Sequence, residues 1–97
     1  MISKRFTILN ERGIHLRPAM AIVEAVTAAK CSVTVRRWGE TFGAHSLLRF
    51  MSAQIGEGEE IEIICDGVDE AEAMRVLTGL INSGFHEILT QGGENYG

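Results

Sequence analysis

The 97-residue chain is predicted to fold as one small α+β domain with the element order βαββαβα. Three short segments alternate apolar and polar residues, a pattern typical of strands that bury one face, and a turn signal after the second of them indicates one more short strand. Three other segments repeat apolar residues at helical spacing or begin with helix-capping residues. The length allows a single hydrophobic core, and 45% hydrophobic residues are enough to form it.

The first strand is predicted over residues 2–9, where apolar residues occupy one face. After a loop over 10–14, a helix is predicted over 16–29, since its apolar residues recur at three- and four-residue intervals. The residues predicted to face the core from these two elements are Ile2, Phe6, Ile8, Ala19, Ile22, Val23 and Val26.

A second strand is predicted over 31–37, with Cys31, Val33 and Val35 pointing inward. Gly39 favours a hairpin turn into a short strand that continues through Phe42. Ser46 is a preferred N-cap residue, so a short helix is predicted over 47–53.

The fourth strand is predicted over 61–65, with the odd-numbered residues apolar. Asp69 and Glu72 have the spacing of a capping box, which predicts the start of a third helix that continues through Ile81. Gly84 suits the C′ position that ends such a helix.

Composition excludes several classes of function. A net charge of −4 argues against nonspecific nucleic-acid binding, which depends on basic surfaces. No apolar run approaches the roughly 20 residues that span a bilayer, and residues 1–6 lack the apolar stretch of a signal peptide. We therefore expect a cytoplasmic protein without membrane insertion.

Charge is distributed unevenly along the chain. Residues 57–72 are acidic, whereas the arginines Arg5, Arg12, Arg17, Arg36, Arg37 and Arg49 lie in the first half. A partner that contacts Arg17 and Arg49 is expected to be acidic. The cysteines Cys31 and Cys65 have no metal-site spacing, so we predict two buried, reduced thiols and no metal.

The most informative segment is 13–20, which reads Gly-Ile-His-Leu-Arg-Pro-Ala-Met. His15 can serve as a helix N-cap, and Pro18 then lies in the first turn, where a missing N–H costs little. The free N–H groups of that turn favour an anion such as phosphate, which Arg17 could also bind. By its own chemistry, however, a lone histidine at a helix start is more often a solvated or capping residue.

This segment resembles the phosphorylation site of the HPr family of bacterial phosphotransferase-system proteins, whose pattern is Gly, apolar, His, any residue, Arg, Pro, Ala. A second segment, 45–52, with Ile55 and Gly58 after it, resembles the regulatory-serine helix of that family. The likeness continues through 82–85. It thus covers about the first 86 residues, which we take as one domain, with 87–97 as a flexible tail.

The resemblance implies an open-faced sandwich in which a four-stranded antiparallel sheet carries three helices on one face. The implied strand order is 1-4-2-3, which would place the start of the second strand beside the end of the fourth. Cys31 and Cys65 could then be cross-strand neighbours.

The resemblance also implies a function. The chain would be a phosphocarrier that accepts a phosphoryl group on the δ1 (pros) nitrogen of His15 from phosphorylated enzyme I and passes it to an EIIA-type protein. Arg17 would stabilise the phosphoryl group, and Ser46 would be a regulatory site for an HPr kinase/phosphorylase. Such a protein is a substrate of other enzymes more than a catalyst, and we expect a monomer that needs no cofactor.

The short helix over 47–53 has too many apolar residues to bury all of them on one side. Together with residues near His15 they could form an exposed apolar patch with a basic rim, as transient docking surfaces do. The predicted docking residues are Leu16, Met20, Leu47, Leu48, Arg49 and Met51.

Two questions stay open from the sequence. The same face could belong to a non-carrier regulatory module that binds target proteins and is switched at Ser46, although such a module needs no nucleophile. Met20 and the segment 82–85 resemble the nitrogen-branch paralogue NPr more than sugar-pathway HPr, so the branch is undecided.

Overall fold

The computed structural model describes residues 1–84, and the predicted flexible tail lies outside them. The elements are β1 (Ile2–Thr7), α1 (Leu16–Ala28), β2 (Cys31–Arg37), β3 (Glu40–Gly43), α2 (Leu47–Ala53), β4 (Glu60–Gly67) and α3 (Glu70–Asn82). The predicted element order is confirmed. The strands form one antiparallel sheet in the order β1-β4-β2-β3, which is the order that the resemblance implied.

Strand bounds differ from prediction where polar residues pair on the open face of the sheet. β1 ends at Thr7 instead of residue 9, and β4 runs over 60–67 instead of 61–65. Glu60 pairs with Thr7 and Asp66 with Ser32. Because backbone pairing does not require a buried side chain, the apolar alternation predicted only the central part of β4.

The core lies between the sheet and the three helices. Alternate strand residues point into it, and each fully buried aliphatic or aromatic side chain contributes about 1.5–3 kcal/mol of transfer free energy. Its largest fully buried side chains are Phe50, Ile8, Ile22, Ile61, Ile63, Leu77, Ile81 and Val35. All three helices contribute to this list, so the helices share one face of the sheet.

The two cysteines depart from the prediction. Cys65 is fully buried, but Cys31 is only partly buried. The two cysteines lie on the neighbouring strands β2 and β4 but are not directly opposite each other. Cys31 is opposite Gly67 and Cys65 is opposite Val33, so the two are diagonal neighbours. Burial, aided by the neighbouring Asp69 carboxylate, raises the pKa of the Cys31 thiol to about 11, so this thiol stays protonated at neutral pH despite its partial exposure.

The start of α3 also differs. Asp69 is the N-cap residue, but its side chain makes no capping hydrogen bond, so the predicted capping box with Glu72 does not form. Its carboxylate instead accepts a hydrogen bond of 2.8 Å from the Lys30 backbone N–H. The predicted end of the helix is confirmed: Gly84 has φ +66° and its N–H donates to the Ile81 carbonyl.

Candidate functional site

The loop before His15 lies directly against the loop that follows α2. Gly13 has φ +70°, and a Cβ there would approach the Gly56 Cα to 2.7 Å, so only glycine fits. The buried Ile14 donates its backbone N–H to the Ile55 carbonyl at 2.9 Å. The backbone on both sides of this contact is therefore fixed, and with it the position from which His15 projects.

A partly buried ion pair holds the second loop in turn. Arg37 donates to the Glu59 carboxylate at 2.9 Å and to the Ala53 carbonyl at 2.6 Å. The other carboxylate oxygen of Glu59 accepts the Gly56 N–H at 3.0 Å. Sequence analysis missed this pair, because residues far apart in the chain leave no periodic signal.

His15 is the N-cap residue of α1, as predicted, but its imidazole makes no capping hydrogen bond. Its carbonyl accepts the Ala19 N–H at 3.0 Å, while Pro18 has no N–H to donate. Within residues 1–84, the N–H groups of Leu16 and Arg17 have no acceptor. The first turn thus keeps two free donors at the positive end of the helix dipole.

The imidazole of His15 is partly buried, and its Nδ1 lies 3.3 Å from the Gly13 carbonyl oxygen. A carbonyl only accepts hydrogen bonds, so Nδ1 carries a proton when it makes this contact. The same oxygen accepts a hydrogen bond from the side-chain amide of Asn10. The Gly13 carbonyl oxygen, which has two lone pairs, is therefore shared by two donors.

Asn10 is a second residue that sequence analysis missed, although a signal was present. Asparagine followed by glycine three positions later is typical of a β-turn. The turn is closed by a 2.9 Å hydrogen bond from the Gly13 N–H to the Asn10 carbonyl.

Arg17 is exposed on the first turn of α1, which contains no acidic residue. In the part of the chain that the structure describes, its guanidinium forms no ion pair. It is therefore available to an external anion.

Ser46 is the N-cap residue of α2, as predicted, and here the side chain does cap. Its hydroxyl oxygen accepts the Arg49 N–H at 3.2 Å. Ser46 is partly buried.

An apolar groove runs between α1 and α2 next to His15. Its lining includes Leu16, Arg17, Met20, Val23, Glu24 and Leu47. Leu16 and Met20 are about half exposed, and Leu48 is 74% exposed. We call Leu16, Met20, Leu47 and Leu48 the apolar surface.

Two of the predicted docking residues contribute less exposed area than the others. Leu47 and Met51 are half-buried and pack against the core. Phe50 is fully buried and makes an edge-on contact with Phe42, with ring centroids 5.1 Å apart. The exposed Arg49 guanidinium lies 5.7 Å from the Phe42 ring centroid, on the β3 side of α2.

Residues 1–84 contain no cluster of three metal-ligating side chains. Over the same residues, every helix is too short or too polar to cross a membrane.

Comparisons with known proteins agree on one family. The model for the phosphorylation site of the phosphotransferase-system HPr component matches residues 2–83. The phosphocarrier protein HPr of Neisseria meningitidis serogroup A is 34% identical over 87 residues, which cover 90% of this chain and 98% of that protein.

Solved structures give the same result. A crystal structure of HPr from Thermoanaerobacter tengcongensis has a TM-score of 0.85 and 29% identity, and the match covers 89% of this chain and 97% of that one. A structure described as an HPr dimer from the same organism has a TM-score of 0.69 and 29% identity, with coverage of 88% and 98%.

Proposed function

The chain belongs to the HPr family of the phosphotransferase system, and we propose that His15 accepts a phosphoryl group from phosphorylated enzyme I and passes it to an EIIA-type protein. The phosphoryl group would derive from phosphoenolpyruvate. In this role the protein is a substrate of two partner enzymes and needs no cofactor of its own.

The uncapped start of α1 carries this proposal. A histidine at a helix start with two free backbone N–H groups and an unpaired arginine suits a transferable anion. The N–H groups and the Arg17 guanidinium would stabilise the oxygens of the phosphoryl group as it is transferred. A metal ion is not required for that stabilisation.

Transfer requires a ring nitrogen with a free lone pair, and family resemblance assigns this role to Nδ1 of His15. The Nδ1 lone pair would form the bond to phosphorus while the bond from phosphorus to the donor atom breaks. Since Nδ1 lies 3.3 Å from the Gly13 carbonyl, the ring must lose that proton and turn outward before it can accept the group.

We propose the apolar surface as the contact for both partners, with Arg17 and Arg49 at its rim. The side chains of Leu16, Met20 and Leu48 are 52–74% exposed. They would bury apolar area when a partner docks. The arginines favour an acidic partner face. Met51 would support this surface from its half-buried position.

The branch of the pathway depends on the acceptor. Met20 is 52% exposed and lines the groove beside Leu16, so an acceptor would contact both bulky side chains. This position supports a role for Met20 in selecting the acceptor protein. Measuring phosphoryl transfer to sugar-branch and to nitrogen-branch EIIA proteins would show which pathway this protein serves.

A non-carrier regulatory module is the second candidate. The observation in its favour is that Ser46 lies immediately before Leu47 and Leu48 of the apolar surface. Phosphorylation of Ser46 by an HPr kinase/phosphorylase would add negative charge beside that surface and weaken binding of an acidic partner. In this view His15 would not be modified.

We also expect a cytoplasmic monomer. One HPr relative is described as a dimer, so sedimentation at micromolar concentration should be measured for this protein directly.

The test of the carrier role is intact-mass analysis after incubation with phosphoenolpyruvate and enzyme I. The expected result is one acid-labile phosphoryl adduct on the wild-type protein and none on His15→Ala. His45→Ala is the matched control, since His45 is an exposed histidine outside α1, and it should carry the adduct.

An absent wild-type adduct, with enzyme I shown to be active on another carrier, would overturn the carrier proposal and favour the regulatory module. Arg17→Ala should still form the adduct but about 10- to 100-fold more slowly, as expected for loss of a charge-assisted hydrogen bond. Arg5→Ala, on the far face of the sheet, should transfer at the wild-type rate.

A further inference from the structure

We propose that Asn10 is a positioning residue that controls which ring nitrogen His15 presents to a phosphoryl donor. The inference rests on the proposed function of His15 as the phosphoryl acceptor, and it adds a residue outside the histidine motif. Asn10 acts on the histidine through the Gly13 carbonyl.

The geometry places the three groups around one oxygen atom. The Asn10 amide donates to the Gly13 carbonyl, and His15 Nδ1 lies 3.3 Å from the same oxygen. The usual N–H···O distance is about 2.9–3.0 Å, so the imidazole makes the longer and weaker contact. The amide nitrogen of Asn10 faces Gly13 because two acceptors would repel each other.

The other side-chain atom of Asn10 shows that the residue is not there for stability alone. Its Oδ1 is buried and has no hydrogen-bond partner within residues 1–84. A buried unpaired acceptor opposes folding. An apolar residue of similar size would avoid that cost, yet it could not donate to Gly13.

Sharing the carbonyl has a consequence for the histidine tautomer. An oxygen that already accepts one hydrogen bond is a weaker acceptor for a second, so without the Asn10 amide the Gly13 oxygen would bind the Nδ1–H form of His15 more strongly and favour it. That form has no lone pair on Nδ1. By holding the carbonyl, Asn10 leaves a larger share of the neutral ring with its proton on Nε2 and its lone pair on Nδ1.

The transfer step then balances without a further group. The Nδ1 lone pair forms the N–P bond, the bond from phosphorus to the donor atom breaks, and its electron pair stays on the donor atom. The proton on Nε2 remains in place. When the ring turns outward, Gly13 keeps the Asn10 amide as a partner, so no carbonyl is left unpaired.

The test uses Asn10→Leu and Asn10→Ala. Leucine matches asparagine in shape and also removes the unpaired oxygen, so Asn10→Leu should fold at least as stably as wild type. Asn10→Ala provides a second, smaller replacement. Glu11→Ala is the matched control, because Glu11 is the exposed neighbour in the same loop.

The first readout is the imidazole ¹⁵N shifts of His15 in the unphosphorylated protein at a pH where the ring is neutral. The ratio of Nδ1–H to Nε2–H tautomers should rise about fivefold in both Asn10 variants, the factor that corresponds to one neutral hydrogen bond. His45 in the same spectra should not change. A structural role for Asn10 predicts no change in this ratio.

The second readout is kcat/KM for phosphoryl transfer from enzyme I, which should fall by up to about fivefold, because a fivefold rise in the tautomer ratio lowers the fraction with a free Nδ1 lone pair by at most that factor. An unchanged tautomer ratio in either folded variant overturns the proposal, and so does a changed ratio with an unchanged transfer rate. The tautomer readout needs no phosphoryl transfer. If wild-type protein forms no adduct, the carrier proposal fails while the effect of Asn10 on the tautomer is still measured.

Discussion

Helices α1 and α2 both begin at a polar residue with an extended backbone, but only one of these starts is closed by its own side chain. The Ser46 hydroxyl accepts the Arg49 N–H, whereas the His15 imidazole caps no N–H group, and within residues 1–84 the N–H groups of Leu16 and Arg17 have no acceptor. A capped start stabilises the helix, and an open start can bind an external anion. The start of α2 therefore has a structural role, whereas the start of α1 is suited to binding a phosphoryl group.

The largest effect is expected from His15→Asn, which would give α1 a side-chain cap like that of α2. Asparagine is a favoured N-cap residue, so the free energy of unfolding should stay constant or rise by up to about 1 kcal/mol. Phosphoryl acceptance should be lost completely. Urea unfolding and intact-mass analysis measure the two effects, and a variant that still forms an acid-labile adduct would place the acceptor elsewhere.

The apolar surface beside the two helix starts is tested by Leu48→Glu. Leu48 is 74% exposed, so the free energy of unfolding should change by less than about 0.5 kcal/mol. Transfer should slow about tenfold or more, because a buried carboxylate would oppose docking.

Val68→Glu is the control for Leu48→Glu, since Val68 is 94% exposed in the turn before α3. It should transfer at the wild-type rate. A wild-type rate for Leu48→Glu as well would contradict the docking role of this surface.

The cap of α2 is tested by Ser46→Ala, which should lower the free energy of unfolding by about 1 kcal/mol. Ser46→Asp retains a capping oxygen and should keep nearly wild-type stability, yet its charge should slow transfer to an acidic partner. Denaturant midpoints and transfer rates of the two variants separate capping from charge. Equal stability of Ser46→Ala and wild type would show that the hydrogen bond to Arg49 contributes nothing.

The smallest effect is expected at α3, whose N-cap residue is Asp69. Its carboxylate accepts the Lys30 N–H and does not cap the helix. This hydrogen bond lowers the pKa of Asp69 below its ordinary value of 3.8. A lowered native pKa contributes stability above the unfolded value, and that stability is lost as the pH falls through the native value. Asp69→Asn should therefore be less stable than wild type at pH 5–7, with the difference shrinking below about pH 4.

Urea midpoints of wild type and Asp69→Asn across that pH range measure the effect. A difference that grows as the pH falls would reverse the sign and contradict the role of the carboxylate.

Local chemistry made much of the molecule predictable. Alternating apolar residues indicated three of the strands, and the turn at Gly39 indicated β3. The helix starts at His15 and Ser46 were placed correctly because an N-cap depends on neighbouring residues. The pattern of α2 also predicted that its apolar residues could not all be buried. The predicted patch included Leu48 and left Phe50 out, and the structure agrees: Leu48 is 74% exposed, whereas Phe50 is fully buried against Phe42 of β3.

The failures have a common cause. The capping box at Asp69 was wrong because the Lys30 N–H, which is 39 positions away in the chain, is a better partner in the folded state. Whether Cys31 and Cys65 lie directly opposite each other depends on the register of β2 against β4. Apolar periodicity does not fix that register to a single residue pair.

The sequence by itself determined the element order and the helix start at His15, since propensity and capping act over a few residues. Only the tertiary structure decided what holds that start in place. The contact of Ile14 with Ile55, the pairing of Arg37 with Glu59 and the sharing of the Gly13 carbonyl by Asn10 and His15 depend on sheet register and side-chain direction. These are set by packing of the whole core, so no local pattern of residues predicts them.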